Sequence, residues 1–372
     1  MQMMLAAITV VAAAFYGLFV PPSGPGFPHD AMTMSSVLGL GIKTYLRDKA
    51  EIKALQQDLL ERDLPLRGKL AVVTGATKGL GRAIAAQFHA LGADLVLPCR
   101  TVPLSLTSMI AADADALFRS NGLDVPKTPR GTVTAVTMDL GDLDSIDAAV
   151  EELHDKVKDR PVDILVNNAG LCVKDDLRTA QGFELIFGVN FLGTAHFTSQ
   201  LLDKDILRAG PSGEAPTIIS VSSGEHRSTT MLNATGKPLG YPASNGIVDV
   251  FARYGHSKLA ITTWMLGLAR ARPDLHVIDL CPGPVGTEIA NKNGPLGKAI
   301  SPVLQATFPS PSHSALFIVR LVTEPAFRSI SGRHYHMSAD VDARSDAHDA
   351  GTQIWLHSET RRLLETRVPP SA

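Results

Sequence analysis

Residues 70–81 read LAVVTGATKGLG, an apolar run that passes straight into a turn holding Gly75, Gly79 and Gly81 and then into a helical pattern from Leu80. A strand ending in such a turn puts residues without Cβ where a backbone can approach a phosphate closely. The N-terminus of the following helix adds unpaired N–H groups and the positive end of its dipole. The spacing is G-x3-G-x-G and not the more familiar G-x-G-x-x-G, so its place between an apolar strand and an amphipathic helix carries the reading. Thr74, Gly75, Lys78, Gly79, Leu80 and Gly81 are therefore candidate nucleotide-binding residues.

Outward from this turn, further short apolar runs alternate with longer helical patterns: DLVLP (94–98), VTAVTMDL (133–140), DILVNNAG (163–170), TIISVSS (217–223), HVIDLCPG (276–283) and GRHYHM (332–337). Strands alternating with helices imply right-handed crossovers and a parallel sheet covered on both faces. The expectation is a single doubly wound Rossmann α/β domain over about 66–345, followed by a C-terminal helix and tail at 346–372. Two stretches, 101–131 and 224–251, read as loop insertions.

The 372 residues carry 35 basic and 37 acidic side chains, a formal net charge of -2, which gives no electrostatic ground for nucleic-acid binding. Cys99, Cys172 and Cys281 are scattered without metal-ligand spacing and read as buried small hydrophobes in a reducing compartment. His226, His256, His334 and His336 lack recurring acidic or Cys partners, so no metal site is expected and these histidines read as surface or strand residues.

Residues 3–20 contain no charge, and as a helix they would measure about 27 Å, close to the thickness of a bilayer core. A cleaved signal peptide calls for a basic start, yet no Lys or Arg precedes residue 43. A buried core helix has no neighbouring segment to cover it. Residues 1–22 therefore read as a membrane anchor. Lys43, Arg47 and Lys49 on its C-terminal side place the rest of the chain in the cytosol. PPSGPGFPHD at 21–30 is a linker, and Ile42 to Arg62 has helical spacing with a charged face; residues 23–65 together form linker and amphipathic helix.

Several segments in this order resemble the short-chain dehydrogenase/reductase family: TGxxxGxG at Thr74–Gly81, Asn167-Asn168-Ala169-Gly170, Asn190 within FGVNFLG, Ser222-Ser223 at the end of the fifth strand, YxxxK at Tyr254 to Lys258, and Pro282-Gly283 with Thr287. The match covers about 66–345. The wording of GFELIFGVNFLGTAHFT, YGHSKLA and GTQIWLHSE is similar to the retinol dehydrogenase-like members. The resemblance implies an oxidoreductase. Tyr254 would be its general acid and base, Lys258 would tune that group and hold the nicotinamide ribose, Ser223 would bond the developing alkoxide, and Asn190 would position a relay water. It further implies cofactor contacts from Asp139, Leu140, Asn168, Ala169, Gly170, Pro282, Gly283, Val285 and Thr287. The second Ser of the pair is the family's usual choice, but the insertion before Tyr254 prevents spacing from deciding between Ser222 and Ser223.

On residue chemistry alone, Tyr254 and Lys258 are four apart and share a helix face. A phenol with an ordinary pKa near 10 would need lowering by about 3 units to exchange protons near pH 7, and an adjacent ammonium with a positive nicotinamide ring is expected to supply that. Spacing alone is cheap, since Tyr45 and Lys49 have it too. That pair precedes the nucleotide-binding strand and reads as a solvated helix face.

An acidic residue at the end of the second strand would grip the ribose of NAD. Here the chain reads Leu97-Pro98-Cys99-Arg100, and Arg100 with Lys78 suits a 2′-phosphate. NADP(H) is the expected cofactor, with NAD(H) left open. The stretch from about Val285 to Pro309 is expected to form a lid with few charges, which favours a hydrophobic alcohol, aldehyde or ketone such as a retinoid, steroid or other lipid, met at an endoplasmic reticulum or lipid-droplet membrane. A homodimer is compatible with the sequence. A non-catalytic scaffold of the same fold is the alternative; a nucleotide-sugar epimerase would call for more than the 90 residues after Pro282.

Overall fold

The computed structural model describes residues 54–126, 130–173, 175, 177–211, 213–227, 229, 239, 247–286 and 308–369. Strands and helices alternate from β1 (Leu70–Val73), α1 (Gly79–Ala90), β2 (Asp94–Cys99), α2 (Leu106–Ser120), β3 (Val133–Thr137) and α3 (Leu143–Val157) to β4 (Ile164–Asn167). Helix α4 then runs from Leu185–Phe187 through a π-helical turn, Gly188–Gly193, into Thr194–Asp203. Next come β5 (Thr217–Val221), α5 (Ile247–Ala271), β6 (His276–Cys281), α6 (Pro311–Thr323), β7 (Arg333–His336), β8 (Ala339–Asp340) and α7 (Ala350–Thr366).

All eight strands form one sheet in the order β3-β2-β1-β4-β5-β6-β7-β8. Every pairing is parallel except that of β7 with the two-residue β8. The seven apolar runs of the sequence became β1 to β7 because a sheet covered on both faces needs apolar residues at consecutive positions. Val72, Leu165, Ile218 and Val277 point to the layer of α3, α4, α5 and α7, while Val73, Val166, Ile219 and Ile278 point to α1, α2 and α6. Helix α7 belongs to this body: Leu356 and Leu363 are buried, and His357 stacks on Trp264 at 4.9 Å.

Segment 101–131 is corrected by the structure. The Pro-containing start and the acidic residues obscured a helical stripe: Leu106, Ile110, Ala114 and Phe118, four apart, are all buried on one face of α2. It is the crossover helix between β2 and β3. Segment 224–251 begins with a 3-10 turn, Gly224–Arg227, and its last residues already belong to α5; most of it lies outside the described residues. So do residues 1–53, with the expected anchor and the Tyr45–Lys49 pair. Among the described residues no helix is long and apolar enough to cross a membrane. The amphipathic segment is helical over residues 54–61, where Leu59 and Leu60 pack into the core beside α1 and α6.

Strand β1 leads outward through β2 and β3, and β4 leads the other way, so the connections that leave their C-terminal ends run in opposite directions. Such a switch point leaves a crevice where ligands bind to doubly wound sheets.

Candidate active site

The two segments that follow β1 and β4 are bonded to one another. The Thr74 hydroxyl accepts from the N–H groups of Asn168 and Ala169, both at 3.0 Å, and Asn168 Nδ2 donates to Thr74 O at 2.8 Å. This clamp fixes the turn. Gly75 and Gly79 have φ of +71° and +57°, which Cβ disfavours. A Cβ on Gly81 would stand 2.4 Å from both Asn168 Nδ2 and Gly75 O. Gly81 is thus required by the packing of α1 on its own turn, whereas the first two glycines shape the backbone. Helix α1 has no acidic residue in its first turn and no side-chain cap from Lys78, which leaves its N–H groups available to an anion.

Around this turn stand the other sequence candidates. Lys78 and Arg100 are exposed, with no partner among the described residues, Arg100 being the residue just after β2. Asp139 turns its carboxylate onto its own loop, accepting from Gly141 N–H at 2.8 Å, and Leu140 is buried beside it. Gly170 lies next to Asn190 and Lys258: a Cβ there would meet Asn190 Oδ1 at 3.4 Å and Lys258 Nζ at 3.6 Å. Gly283, with φ +74°, closes on Met337, and Pro282 and Val285 continue the rim after β6. Thr287 and residues 287–307 of the expected lid lie outside the described residues. A switch-point turn without Cβ at Gly75, Gly79 and Gly81, an anion-ready helix end and two exposed cations fit a nicotinamide dinucleotide.

Helix α5 carries the second half of the site. Tyr254 and Lys258 lie one turn apart, the ammonium 5.7 Å from the phenol ring centroid. Lys258 is buried, and its Nζ donates to Val221 O at the end of β5 at 2.7 Å. The π-helical turn re-aims Asn190 toward the same place. Its Oδ1 accepts from Leu171 N–H at 2.8 Å, and its Nδ2 donates to Leu171 O at 2.9 Å and to Ser257 Oγ at 3.1 Å.

Geometry separates the two serines. Ser222 Oγ is buried and shares a 2.7 Å hydrogen bond with Thr262 Oγ1. Ser223 Oγ hydrogen-bonds the Tyr254 phenol and accepts from Glu225 N–H at 3.3 Å. The structure thus brings together Ser223, Tyr254, Lys258 and Asn190, and turns Ser222 away.

Burial pushes the Tyr254 phenol above its usual 10, and the Ser223 hydrogen bond only partly offsets this. Burial also brings the Lys258 ammonium down, to about 8. The thiols of Cys172 and Cys281 are likewise pushed up, to about 12 and about 11, by burial, and with Cys99 they are free and buried, as the sequence implied.

The histidines require another correction. His334 and His336 are indeed on β7, but all four named histidines are buried, and His226 and His256 lie in the turn after β5 and in α5. Burial holds His256 and His336 near 4, hence neutral. Among the described residues no group of three His, Cys, Asp or Glu side chains could hold a metal ion.

Sequence reasoning missed three groups beside the site. Thr262 continues the Tyr254–Lys258 stripe by one more turn, a signal that was readable. Glu184 and Arg253 form an ion pair at 2.6 Å, with side chains 1% and 2% exposed, between the start of α4 and the residue before Tyr254. Their separation of 69 residues left no sequence trace.

A Rossmann sheet with this nucleotide-binding turn and a Ser–Tyr–Lys cluster at the C-terminal ends of its strands defines an oxidoreductase of the nicotinamide-dependent class. The short chain dehydrogenase profile matches residues 69–237. Mouse polyprenol dehydrogenase is 30% identical over 309 residues, covering 80% of this chain and 84% of that protein. Mouse retinol dehydrogenase 13 is 30% identical over 306 residues, with the same coverages of 80% and 84%. Among solved structures, an uncharacterised protein from Mycobacterium paratuberculosis superposes with a TM-score of 0.55 at 21% identity, covering 82% of this chain and 96% of that one. The chain belongs to the short-chain dehydrogenase family, is similar to its retinol dehydrogenase-like members, and is an oxidoreductase acting on CH–OH groups.

Proposed function

We propose that the chain interconverts a hydrophobic alcohol and its aldehyde or ketone with NADP(H), using Tyr254 as the group that exchanges a proton with the substrate oxygen. The observation that carries this reading is the convergence of Ser223, Tyr254, Lys258 and Asn190 at the strand ends beside the Gly75–Gly81 turn. When bound, NADP(H) supplies the hydride. Thr74, Gly75, Gly79, Leu80 and Gly81, with Asn168, Ala169 and Gly170, would hold its central part, and Asp139, Leu140, Pro282, Gly283, Val285 and Thr287 its flanks. Lys78 and Arg100 would pair with the 2′-phosphate, since no carboxylate stands at the end of β2.

Each residue then has a physical task. Half-buried and bonded to Ser223, Tyr254 stays protonated at neutral pH, the form that donates to a carbonyl oxygen. Ser223 would also hold that oxygen, and Lys258 would contact the ribose while bringing a positive charge to the phenol. Asn190, its amide committed to Leu171 and Ser257, would orient the loop and the relay water.

The test is a screen of purified protein with NADPH and NADH against retinal, steroid ketones and aliphatic aldehydes, read by cofactor absorbance. Reduction of at least one carbonyl with NADPH, lost in Tyr254→Phe with NADPH binding nearly intact, is the expected result. Full turnover in Tyr254→Phe overturns the assignment of the proton donor.

The polyprenol and retinol dehydrogenase relatives support a lipid-like substrate. For location, we take the uncharged 3–20 segment to be an anchor at the endoplasmic reticulum or lipid droplets with the catalytic domain in the cytosol. Asn233-Ala234-Thr235, a glycosylation sequon outside the described residues, reports the side. A cytosolic domain leaves Asn233 unmodified and carbonate washing leaves the protein in the membrane pellet; an endoglycosidase-sensitive mass shift places the domain in the lumen.

A further inference from the structure

Strands covered on both faces are built from apolar residues, and one face of β5, β6 and β7 complies with Ile219, Val221, Ile278, Leu280 and Tyr335. The opposite face, beneath α5, is apolar at Ile218 and Val277 but turns polar toward the strand ends. Alternation along the strands places Ser222, Asp279 and His334 there, Asp279 standing in register with His334. Their exposures are 3%, 1% and 2%. A buried carboxylate inside a strand is costly without partners, and this one serves no step derived above.

Its partners lead back to the site. His334 Nδ1 meets Asp279 Oδ2 at 2.6 Å, and Thr262 Oγ1 donates to the same oxygen at 3.0 Å while sharing its 2.7 Å hydrogen bond with Ser222. Thr262 is one helical turn beyond Lys258, as Lys258 is beyond Tyr254. Lys258 Nζ donates to Val221 O, the residue just before Ser222. Two consecutive residues at the end of β5 are thus gripped by two consecutive turns of α5, and Asp279 lies behind both. Its other oxygen, Oδ1, is buried with no partner among the described residues.

We propose that Asp279 is a positioning residue for the reaction: the buried counter-charge of the Lys258 ammonium, which through Thr262 also sets how α5 seats on the end of β5. It rests on the reading of Lys258 as part of the catalytic set. Lys258 Nζ lies 5.7 Å from the Tyr254 ring centroid on α5, and Val221, whose carbonyl it grips, pairs with Leu280, between Asp279 and Cys281 on β6; the titratable groups that act on its charge are these two and Cys172 from the loop after β4. The thiols stay neutral at pH 7. Asp279 is itself faced by Thr262 and His334, with the His226 ring 4.8 Å from that of His334. Among these groups Asp279 is the first to oppose the effect of burial on Lys258.

The experiment measures NADPH affinity by fluorescence from about pH 6 to about pH 10 for wild type, Lys258→Ala, Asp279→Asn and Thr262→Val. Wild-type affinity should fall as the pH rises through about 8, where Lys258 loses its proton, and Lys258→Ala should lack that step. Asp279→Asn should move the midpoint down by about one pH unit. Thr262→Val, which breaks the hydrogen bond but keeps the charge, should leave the midpoint in place. Asp279→Ser makes the same prediction as the amide with less bulk, should the amide not fold. An unmoved midpoint in the Asp279 variants overturns the proposal, and so does an equal movement in Thr262→Val, which would mark a packing effect. A wild type with no step, or one that Lys258→Ala leaves unchanged, overturns the role given to Lys258 instead.

Discussion

Arg253 and Glu184 offer a stability test of how the active site is held together. The pair is enclosed on all sides, with Nη1 to Oε1 at 2.6 Å, and Glu184 Oε2 accepts the Phe187 N–H at 2.7 Å, capping the start of α4. Arg253 Nη2 also reaches Val173 O at 3.4 Å. Arg253→Met preserves most of the bulk and removes the charge, leaving a buried carboxylate with a single backbone donor. Breaking a buried pair from one side costs about 3–5 kcal/mol. At about 2 °C per kcal/mol for a domain of this size, the melting temperature should fall by roughly 6–10 °C. Glu184→Gln added to Arg253→Met removes the stranded charge and keeps a side-chain oxygen for Phe187, so most of the loss should return. Thermal denaturation of the two single variants and the double variant completes the cycle. An Arg253→Met melting point within about 2 °C of wild type, or a double variant as unstable as the sum of the singles, refutes the reasoning.

The two serines should separate in kinetics: Ser223→Ala should lower kcat by about 100-fold or more, as losing an oxyanion donor does, whereas Ser222→Ala should act mainly on melting temperature. Arg100→Asp should raise the Kd for NADPH at least tenfold, about 1.4 kcal/mol, and improve NADH binding; a wild type that already prefers NADH refutes the reading of β2. Lys258 has a folded pKa of about 8, below its unfolded value of 10.5, so the folded state holds fewer protons than the unfolded one between these values. Its contribution to stability is therefore unfavourable below about pH 8 and improves as the pH rises toward 10.5. The stability of wild type relative to Lys258→Met, followed by denaturant titration, should rise across that window; a flat difference refutes the depressed ammonium.

Much of this architecture was legible because burial on both faces leaves a strong mark. Each of the seven apolar runs became a strand, and the glycine turn sits where strand gives way to helix. Helix α2 was less legible: its buried stripe uses Ala114 between larger residues, and Asp113 and Asp115 beside it imitate a loop. Asp113 in fact receives two hydrogen bonds from Arg82 on α1, a contact between residues 31 apart. Strand β8 has two residues and no periodicity to read. Within the site, YxxxK was plain in the sequence, but which of Ser222 and Ser223 bonds Tyr254 and which bonds Thr262 depends on how α5 packs on the end of β5. The rise in the Tyr254 pKa was hidden for a related reason. Sequence shows the neighbouring charge but not the desolvation that packing imposes on the phenol.

The three buried cysteines bear on how the protein can be handled. With Sγ groups pushed up to about 11, 12 and 11 at Cys99, Cys172 and Cys281, the reactive thiolate is about one part in ten thousand or less at pH 7. Alkylating reagents and peroxide will find these side chains both chemically muted and sterically screened. A single cysteine introduced at Ile354, 70% exposed on the outer face of α7, will therefore take a fluorophore or spin label selectively, without first stripping the native sulfur from the core.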